Sequence, residues 1–408
     1  MEKQALYLSY DGMTDPLGQS QVLPYIIGLQ KKGISFTLIS FEKSERFKQE
    51  GAAIKQICRE NNIDWQPLFY TKYPKVVSTL FDLIKIYPVI NRLQKSKQFD
   101  IVHCRSYITS LIGLRLKRKY GIKFIFDMRG FWVDERVEGK IWNLKSPVFK
   151  FIYIYFKKKE KAFLSTSDAI VSLTHTGKNE LLNWSLKNVT ASKISVIPCC
   201  VDLAKFNPEA IPECAVFSLK QQLLLTNRYV VGYVGSIGTW YLLDEMLRFF
   251  KTIDPEKNPI FVLLTKDPAE QIYVKADQAQ IKRENILVLS VKHTDIPMHL
   301  LLFDCSVFFI RACFSKKASS PTKQAELMAM GIPVICNDGV GDSAAIIEDY
   351  QAGQVMASNN EHEVAIVPLD LRTFDKESTK NGARNYFDLA TGVERYWEIY
   401  QNLLFEKS

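Results

Sequence analysis

The strongest constraint on the fold of this chain is an alternation of short apolar segments with amphipathic segments, which occurs in both halves of the sequence. Such an alternation is typical of βαβ units, whose strands form a parallel sheet. The segments are 5–9, 19–31, 36–41, 46–61, 100–103, 107–120 and 123–127 in the first half, and 230–235, 242–251, 260–265, 286–290, 296–303, 307–310, 321–330 and 334–336 in the second. The sequence therefore predicts an α/β fold with two doubly wound, Rossmann-like sheets.

The length of the chain and a proline-rich stretch near its middle predict two domains. The 408 residues are 47% hydrophobic and 24% charged, which suits two globular domains of about 200 residues each. Regular structure is interrupted at 197–202, Ile-Pro-Cys-Cys-Val-Asp, and again at Pro208 and Pro212. We expect one domain over 1–203, completed by a C-terminal helix at 386–408, and a second over 204–385.

The last helix is expected to need a partner surface. Thr391 and Glu394 have the spacing of a capping box, which predicts that the helix opens there. One face of this helix is strongly apolar, with Val393, Tyr396, Trp397, Tyr400, Leu403 and Leu404.

Composition limits the compartment and the partners. The first nine residues lack the pattern of an export signal, and the eight cysteines have no ligand spacing. The most apolar central segment, 148–156, is shorter than the roughly 20 residues of a membrane span. We therefore expect a cytoplasmic protein. The net charge of +9 indicates an anionic partner, and nucleotide phosphates, nucleic acid and an anionic membrane surface all remain open.

The clearest local motif is the segment Ser319 to Gly331. Ser320 can cap a helix, Pro321 suits its first position and Gly331 suits its end. The free N–H groups of such a helix, with Thr322 and Lys323 beside them, can bind a diphosphate. The alternative is a purely structural helix with a solvated Glu326 paired to Lys323.

Four segments of the chain resemble motifs of the retaining glycosyltransferase family four. They are the glycine-containing loop at 11–24, Asp-Ile-Val-His at 100–103, Val-Ile-Pro-Cys-Cys-Val-Asp at 196–202, and 319–334, which contains Pro-Thr-Lys-Gln-Ala-Glu. The resemblance implies the GT-B fold, in which two Rossmann-like domains face a central cleft. It also implies an acceptor-binding N-terminal domain, a C-terminal domain that binds a nucleotide sugar, and a last helix that covers the N-terminal domain.

This resemblance implies transfer of a sugar, with retention, from a nucleotide sugar such as a UDP sugar to a glycan or lipid-linked glycan acceptor in cell-surface polysaccharide synthesis. Glu326 would bind the ribose hydroxyls. The expected donor-binding residues are Gly18, Gln19, Ser236, Gly238, Lys266, Ser319, Ser320, Pro321, Thr322, Lys323 and Glu326. The expected catalytic residues are His103, Arg105, Asp127 and Lys323, and the expected acceptor-binding residues are Arg129, Asp134 and Glu135.

The sequence departs from the family at three places. Ala318 stands where a first glutamate would contact the donor sugar, and Arg105 stands where a second histidine is common. The loop after Gly235 lacks the usual arginine and the Lys-Gly pair. We therefore expect Lys323, with Lys266 and Arg311 as alternatives, to neutralise the diphosphate. The sequence has no Asp-x-Asp pair and no Cys/His cluster, so we expect no metal and no cofactor.

Each N-terminal candidate also has a structural reading. Gly18 and Gln19 precede a helix and could form only a turn, and His103, at the end of a strand, could be structural. The residues from Asp127 to Glu135 could form a surface ion-pair network.

The aromatic and basic segment 140–161 suits either an anionic membrane or a core helix with a solvated basic end. Two other functions remain as alternatives, a non-hydrolysing sugar-nucleotide epimerase of the same fold and a basic nucleic-acid-binding protein. We expect no nucleic-acid partner, because the sequence shows no RNA- or DNA-binding motif.

Overall fold

The computed structural model describes residues 3–71 and 78–405. Contacts divide the chain into two compact units, unit 1 (1–197 and 389–408) and unit 2 (198–388). Each unit contains its own parallel sheet with helices between the strands. The predicted α/β class with two parallel sheets is therefore confirmed.

Unit 1 is built on a seven-stranded parallel sheet within the described residues, in the order β3-β2-β1-β4-β5-β6-β7. Its strands are β1 (Lys3–Ser9), β2 (Ile34–Glu42), β3 (Asp64–Phe69), β4 (Ile101–Arg105), β5 (Lys123–Asp127), β6 (Ala169–Ser172) and β7 (Ile194–Val196). Its helices are α1 (Pro16–Gln21), α2 (Leu23–Lys31), α3 (Ser44–Glu60), α4 (Ser78–Lys97), α5 (Ser106–Tyr120), α6 (Trp132–Glu138), α7 (Pro147–Thr166) and α8 (His175–Asn183).

The strand order of unit 1 reverses between β1 and β4, and this point determines where a ligand can bind. In an open α/β sheet, ligands bind at the carboxyl ends of the strands where the order reverses. The register places Ser9 beside Arg105 and Arg105 beside Asp127. The predicted residues Arg105 and Asp127 therefore lie in one row at this edge.

Unit 2 has a six-stranded parallel sheet in the order β10-β9-β8-β11-β12-β13 and a short antiparallel hairpin, again counted over the described residues. The strands are β8 (Tyr229–Val234), β9 (Pro259–Leu264), β10 (Ile286–Leu289), β11 (Cys305–Phe308), β12 (Val334–Asn337), β13 (Gly353–Met356), β14 (Ser358–Asn360) and β15 (Glu363–Val364). The helices are α9 (Glu213–Gln222), α10 (Leu243–Phe250), α11 (Ala269–Gln278), α12 (Ile296–Leu300), α13 (Thr322–Ala329), α14 (Ser343–Asp349) and α15 (Lys376–Gly382). Here the order reverses between β8 and β11.

The last helix, α16 (Leu389–Leu404), packs against α2 of unit 1. Its buried face contains Val393, Tyr396 and Tyr400. The predicted capping box is wrong, because the helix already begins at Leu389 and Thr391 and Glu394 lie inside it.

Three details of the predicted elements are also wrong. β4 continues to Arg105, so His103 lies inside the strand instead of at its end. α1 begins at Pro16, so Gly18 and Gln19 are part of a helix and do not precede it. The predicted segments also did not include β3, α4, α6, β6, α8 and β7 of unit 1, or α9, α11, α14, β13, β14, β15 and α15 of unit 2. No helix in the described ranges is long and apolar enough to cross a membrane.

Candidate active site

Helix α13 begins one residue later than the sequence predicts. Pro321 is the N-cap, with an extended ψ of 118°, and the first helical residue is Thr322. Ser320 does not cap the helix, because its hydroxyl instead accepts a hydrogen bond from the Cys199 N–H at 3.1 Å. Ser320 thus ties the start of α13 to the 196–202 motif, and the predicted cap is wrong.

Lys323 lies at the start of α13 with its ammonium buried among aromatic rings. Its side chain is 6% exposed, and its Nζ lies 4.0 Å from the centre of the Tyr233 ring and 3.7 Å from that of Tyr241. Among the described residues this Nζ has no hydrogen-bond partner. Burial lowers the pKa of Lys323 well below its usual value, although Glu326 opposes the shift. A buried, unpaired cation is costly, and an anion would relieve that cost.

The surroundings of Lys323 place it where the sheet of unit 2 reverses its order. A Cβ built on Gly235, which follows β8, would lie 3.2 Å from the Lys323 Nζ. Gly235 has φ of +117° and therefore adopts a backbone that other residues rarely adopt. The ring of Phe308, the last residue of β11, lies 5.8 Å from the same Nζ. The ammonium thus lies at the ends of β8 and β11, the expected ligand edge.

Glu326 lies one turn further along α13 and faces a second cation. Burial raises the pKa of Glu326 to about 7, and Lys205 and Lys323 oppose the shift. The Lys205 Nζ contacts His293 Nδ1 at 2.5 Å. Sequence reasoning missed both Lys205 and His293, because nothing in the irregular segments that hold them indicates where their side chains point.

The loop between β8 and α10 is fixed by a carboxylate that sequence reasoning also missed. The Ser236 hydroxyl donates to Asp267 at 3.0 Å, and the backbone N–H of Ile237 donates to the same carboxylate. Gly238 and Lys266 are exposed. Ser236 thus has an intramolecular partner, and Lys266 is not drawn into the cluster around Lys323.

Arg311, the other alternative cation, lies near Trp240 and has a carboxylate partner. Its guanidinium donates to Glu361 at 2.8 Å and lies 5.4 Å from the Trp240 ring centre. Of the three cations predicted to bind the diphosphate, Lys323 would therefore gain most from a bound anion, because Lys266 is exposed and Arg311 already has a carboxylate partner.

In unit 1, His103 and Asp127 form a buried network with the last helix. His103 Nδ1 lies 3.0 Å from the Tyr400 hydroxyl, and His103 Nε2 lies 3.6 Å from Asp127 Oδ2. The Tyr396 hydroxyl donates to the same Asp127 oxygen at 3.1 Å. Because β4 and β5 are adjacent strands, their register sets this arrangement.

The charges of this network are set by burial and by nearby arginines. Burial lowers the pKa of His103, against the opposing effect of Asp127. Burial alone would raise the pKa of Asp127, but Arg129, His103 and Arg105 together hold it below its usual value. The pair is thus suited to a neutral imidazole beside an ionised carboxylate.

Arg105 and Arg129 lie at the carboxyl edge of the same sheet. Arg105 Nε donates to Asp11 Oδ2 at 3.2 Å, which joins the first loop to β4. Arg129 NH1 lies 4.0 Å from Asp127 Oδ1, and Arg129 has a positive φ of 56°. Positive φ is uncommon for a residue with a side chain and often marks a functional segment. Sequence reasoning did not identify Asp11, although it lies in the 11–24 motif.

Gly18 is required by packing within its own loop. A Cβ at this position would lie 2.2 Å from the Gly12 carbonyl oxygen. The loop is held by the buried Glu42, whose carboxylate accepts from the Met13 N–H at 2.8 Å and the Thr14 hydroxyl at 2.6 Å. Gln19 is exposed. The structural reason for Gly18 is therefore independent of any ligand.

Asp134 belongs to an internal network in unit 1. It accepts from Lys157 Nζ at 2.9 Å and from the Tyr153 hydroxyl at 3.1 Å. Lys157 also pairs with the buried Glu160. Glu135, the next residue of α6, is half-buried. The prediction of a solvated basic end in the segment 140–161 is therefore wrong for Lys157, which pairs with internal carboxylates.

Two family models match consecutive parts of the chain. Residues 22–205 match "Glycosyltransferase Family 4" and residues 217–366 match "Glycosyl transferases group 1". The two matches support the glycosyltransferase family. This glycosyltransferase is 23% identical, over 95% of its length and 97% of the relative's, to the UDP-Gal:alpha-D-GlcNAc-diphosphoundecaprenol alpha-1,3-galactosyltransferase of Escherichia coli.

Solved glycosyltransferase structures share the fold. The glycosyltransferase of Rickettsia africae ESF-5 has a TM-score of 0.70 and 16% identity, with full coverage of both chains. Anabaena HepE in complex with UDP and glucose has a TM-score of 0.70 and 12% identity, covering 98% of this chain and all of the other.

This glycosyltransferase brings some of the predicted residues together and leaves others apart. In unit 2, Lys323 and Glu326 lie on one helix beside Gly235, whereas Lys266 is exposed and Ser236 is bound to Asp267. In unit 1, His103, Asp127 and Arg129 form one cluster, and Arg105 lies beside it in the register. Within the described residues, no group of three or more His, Cys, Asp or Glu could hold a metal ion.

Proposed function

We propose that this glycosyltransferase transfers a sugar from a nucleotide sugar, a UDP sugar, to a glycan or lipid-linked glycan acceptor in cell-surface polysaccharide synthesis. The observation that carries the proposal is the buried, unpaired Lys323 ammonium at the N-terminus of α13. A diphosphate would supply the missing counter-charge and would accept from the free N–H groups of the helix.

Glu326 would bind the ribose in this arrangement. Its position one turn after Lys323 suits a nucleoside attached to a diphosphate at the helix start. A ribose hydroxyl donates to a carboxylate more strongly than to a carboxylic acid, because the charged acceptor makes the shorter and stronger bond. Donor binding would thus favour the ionised form of a group whose pKa burial raises to about 7.

The leaving diphosphate is the second point at which Lys323 would act. Negative charge grows on the diphosphate as the bond to the sugar breaks, and a fixed cation in a desolvated site stabilises that charge. Tyr233 and Tyr241 exclude water from the ammonium. No metal is required in this proposal.

On the acceptor side, we assign roles to unit 1. Arg105 and Arg129 would orient the acceptor, and Asp127 with His103 would hold Arg129 in place. The name of the Escherichia coli relative includes alpha-D-GlcNAc-diphosphoundecaprenol, which supports a lipid-linked glycan acceptor. The HepE structure with UDP and glucose supports a UDP sugar as the donor. Attack from the face of the departing diphosphate, with retention, is part of the proposal.

The test begins with a thermal-shift screen of UDP, GDP and ADP sugars. Each sugar that stabilises the protein is then incubated with a lipid-diphosphate glycan, and the anomeric configuration of the product is determined by NMR. We expect a UDP sugar to give a product with the donor's configuration. Stabilisation by no nucleotide sugar would overturn the proposal, and isomerisation of the donor without acceptor would identify an epimerase.

A further inference from the structure

Helices α4, α5 and α7 of unit 1 enclose a groove that plays no part in the candidate active site. The groove has a volume of about 570 Å³. Its apolar lining consists of Leu80, Leu83, Ile84, Tyr87, Leu111 and Leu114. Two of these side chains, Leu80 and Ile84, are 57% and 56% exposed, so the apolar surface is open to solvent.

The same three helices expose basic residues and no carboxylate. α4 and α5 contain four basic residues each and α7 contains five. The acidic residues of these helices are Asp82 and Glu160, and both are fully buried. Some of their cations are paired with carboxylates of neighbouring elements, as Lys97 is with Asp64 and Lys117 with Asp168, and the exposed charge of the three helices is positive and attracts anions.

Four of these cations lie at the groove itself, namely Arg115, Arg118, Lys119 and Lys159. Arg115 lies 4.5 Å from the Tyr87 ring centre and Lys159 lies 5.3 Å from that of Tyr155. None of the four is paired with a carboxylate of the described residues. The aromatic contacts orient Arg115 and Lys159 and leave their charge without a counter-ion.

Further exposed apolar side chains continue the surface along α7. Phe151 is 70% exposed and Ile154 is 57% exposed. Contiguous apolar surface of this kind beside cations is unusual on a protein that has no partner there.

We propose that this groove binds an anionic phospholipid of a membrane leaflet. An acyl chain would pack on the leucines and Ile84, and the lipid phosphate would lie among Arg115, Arg118, Lys119 and Lys159. The lining is mainly aliphatic, which suits acyl chains. The two tyrosine rings of the groove, Tyr87 and Tyr155, are contacted by Arg115 and Lys159, whereas base stacking on single-stranded nucleic acid needs open aromatic faces. The proposal is independent of the donor site in unit 2.

The test uses the full chain and short-chain lipids below their micelle concentration. Calorimetric titration with dioctanoyl phosphatidylglycerol should show binding, whereas dioctanoyl phosphatidylcholine and glycerol 3-phosphate should bind at least tenfold more weakly. Equal binding of glycerol 3-phosphate would mean a free-anion site, and equal binding of the zwitterionic lipid would mean that charge does not matter. Either result overturns the proposal.

Variants then locate the site. The triple variant Arg118→Gln, Lys119→Gln, Lys159→Gln should reduce partition to phosphatidylglycerol vesicles by about a hundredfold, since each cation near an anionic surface contributes about fivefold. The matched control Lys48→Gln, Lys187→Gln, Lys251→Gln removes the same charge from exposed positions on other elements and should retain most binding. An equal loss of vesicle binding in both triple variants would show that only net charge matters, and would contradict a lipid site in the groove.

A separate substitution tests the acyl chain. Ile84→Ser removes apolar lining at an exposed position, so folding should be unaffected, and binding of the dioctanoyl lipid should fall several-fold. Unchanged lipid binding in folded Ile84→Ser, or displacement of the lipid by single-stranded DNA at equal affinity, would contradict an acyl-binding groove.

Discussion

Lys323 combines two properties that proteins rarely leave together, deep burial and the lack of a hydrogen-bond partner among the described residues. The aromatic rings of Tyr233 and Tyr241 offset part of the cost through cation–π contact. The remaining cost makes the free protein less stable than it would be with an uncharged residue there, and it is the source of the anion affinity proposed above.

We predict that Lys323→Ala lowers kcat by about a hundredfold or more, the range for removal of one electrostatic stabiliser. Donor affinity should fall less, because the interaction strengthens as the diphosphate departs. Steady-state kinetics and donor titration measure the two effects. The control Lys266→Ala removes an exposed lysine and should change little. Near-normal turnover in Lys323→Ala would reject the role.

Glu326 predicts a pH dependence of stability. Its folded pKa of about 7 exceeds its unfolded value, so the folded state holds the proton more tightly. The contribution of Glu326 to stability is therefore present below about pH 4.5 and is lost as pH rises to about 7.

We expect Glu326→Gln to raise the free energy of unfolding at pH 8 by about 3 kcal/mol relative to its effect at pH 4.5, while donor affinity falls by about 1.5–3 kcal/mol. Denaturant unfolding at the two pH values and calorimetric donor titration provide the readouts. A pH-independent effect would show that the carboxyl group is not strained in the free protein.

At the scale of elements, the alternation of strands and helices could be predicted because apolar side chains recur about every 2 residues in a strand and about every 3.6 in a helix. α4 was missed, since Pro88 lies inside it and proline usually ends a helix. The start of α13 was misplaced because serine is the commoner cap, whereas here Ser320 binds Cys199.

Partners distant in sequence could not be predicted from local pattern. Tyr400 lies 297 positions from His103, and only the folded chain brings them together. The same holds for Lys205 beside Glu326. The identity of the helix that holds the candidate donor residues could be predicted, but the aromatic surroundings of Lys323 could not.

The contact between α2 and α16 gives a prediction for a pair of elements. A Cβ on Gly28 would lie 2.6 Å from Val393 Cγ2. Gly28→Ala should therefore destabilise the protein by about 1–3 kcal/mol through overpacking. In a Val393→Ala background the same change should be neutral or stabilising, because alanine is the better helix former. A double-mutant cycle by denaturant unfolding measures this coupling, and additive effects would contradict the contact.

At the scale of the whole molecule, the net charge of +9 is unevenly distributed. The exposed faces of α4, α5 and α7 carry basic residues with no exposed carboxylate, whereas Lys157 points inward to Asp134 and Glu160. Lys157 thus stabilises the interior of unit 1, whereas the lysines that follow it in α7 contribute to the basic surface.

We predict that the protein pellets with anionic vesicles at 0.1 M salt and is released at 1 M, where the Debye length falls from about 10 Å to about 3 Å. Lys158→Gln, Lys159→Gln, Lys161→Gln should weaken this binding with little change in Tm. Lys157→Gln should lower Tm and leave vesicle binding nearly unchanged, because it leaves Glu160 buried without its cation. Co-sedimentation measures vesicle binding and thermal unfolding measures Tm. Equal loss of binding in both variants would show that Lys157 does not differ from the other three lysines in its role.

The aromatic enclosure of Lys323 also has a chemical consequence. A lysine with a lowered pKa has a larger uncharged, nucleophilic fraction at neutral pH than an exposed lysine. Lys193 also has a lowered pKa, about 8, but its Nζ donates to the carbonyl oxygens of Leu164 and Asn188. The Nζ of Lys323 donates no such hydrogen bond in the described structure, so its amine is not held by an acceptor. An amine-directed acylating reagent small enough to enter the aromatic enclosure should therefore react with Lys323 at neutral pH, and a bound diphosphate should protect it.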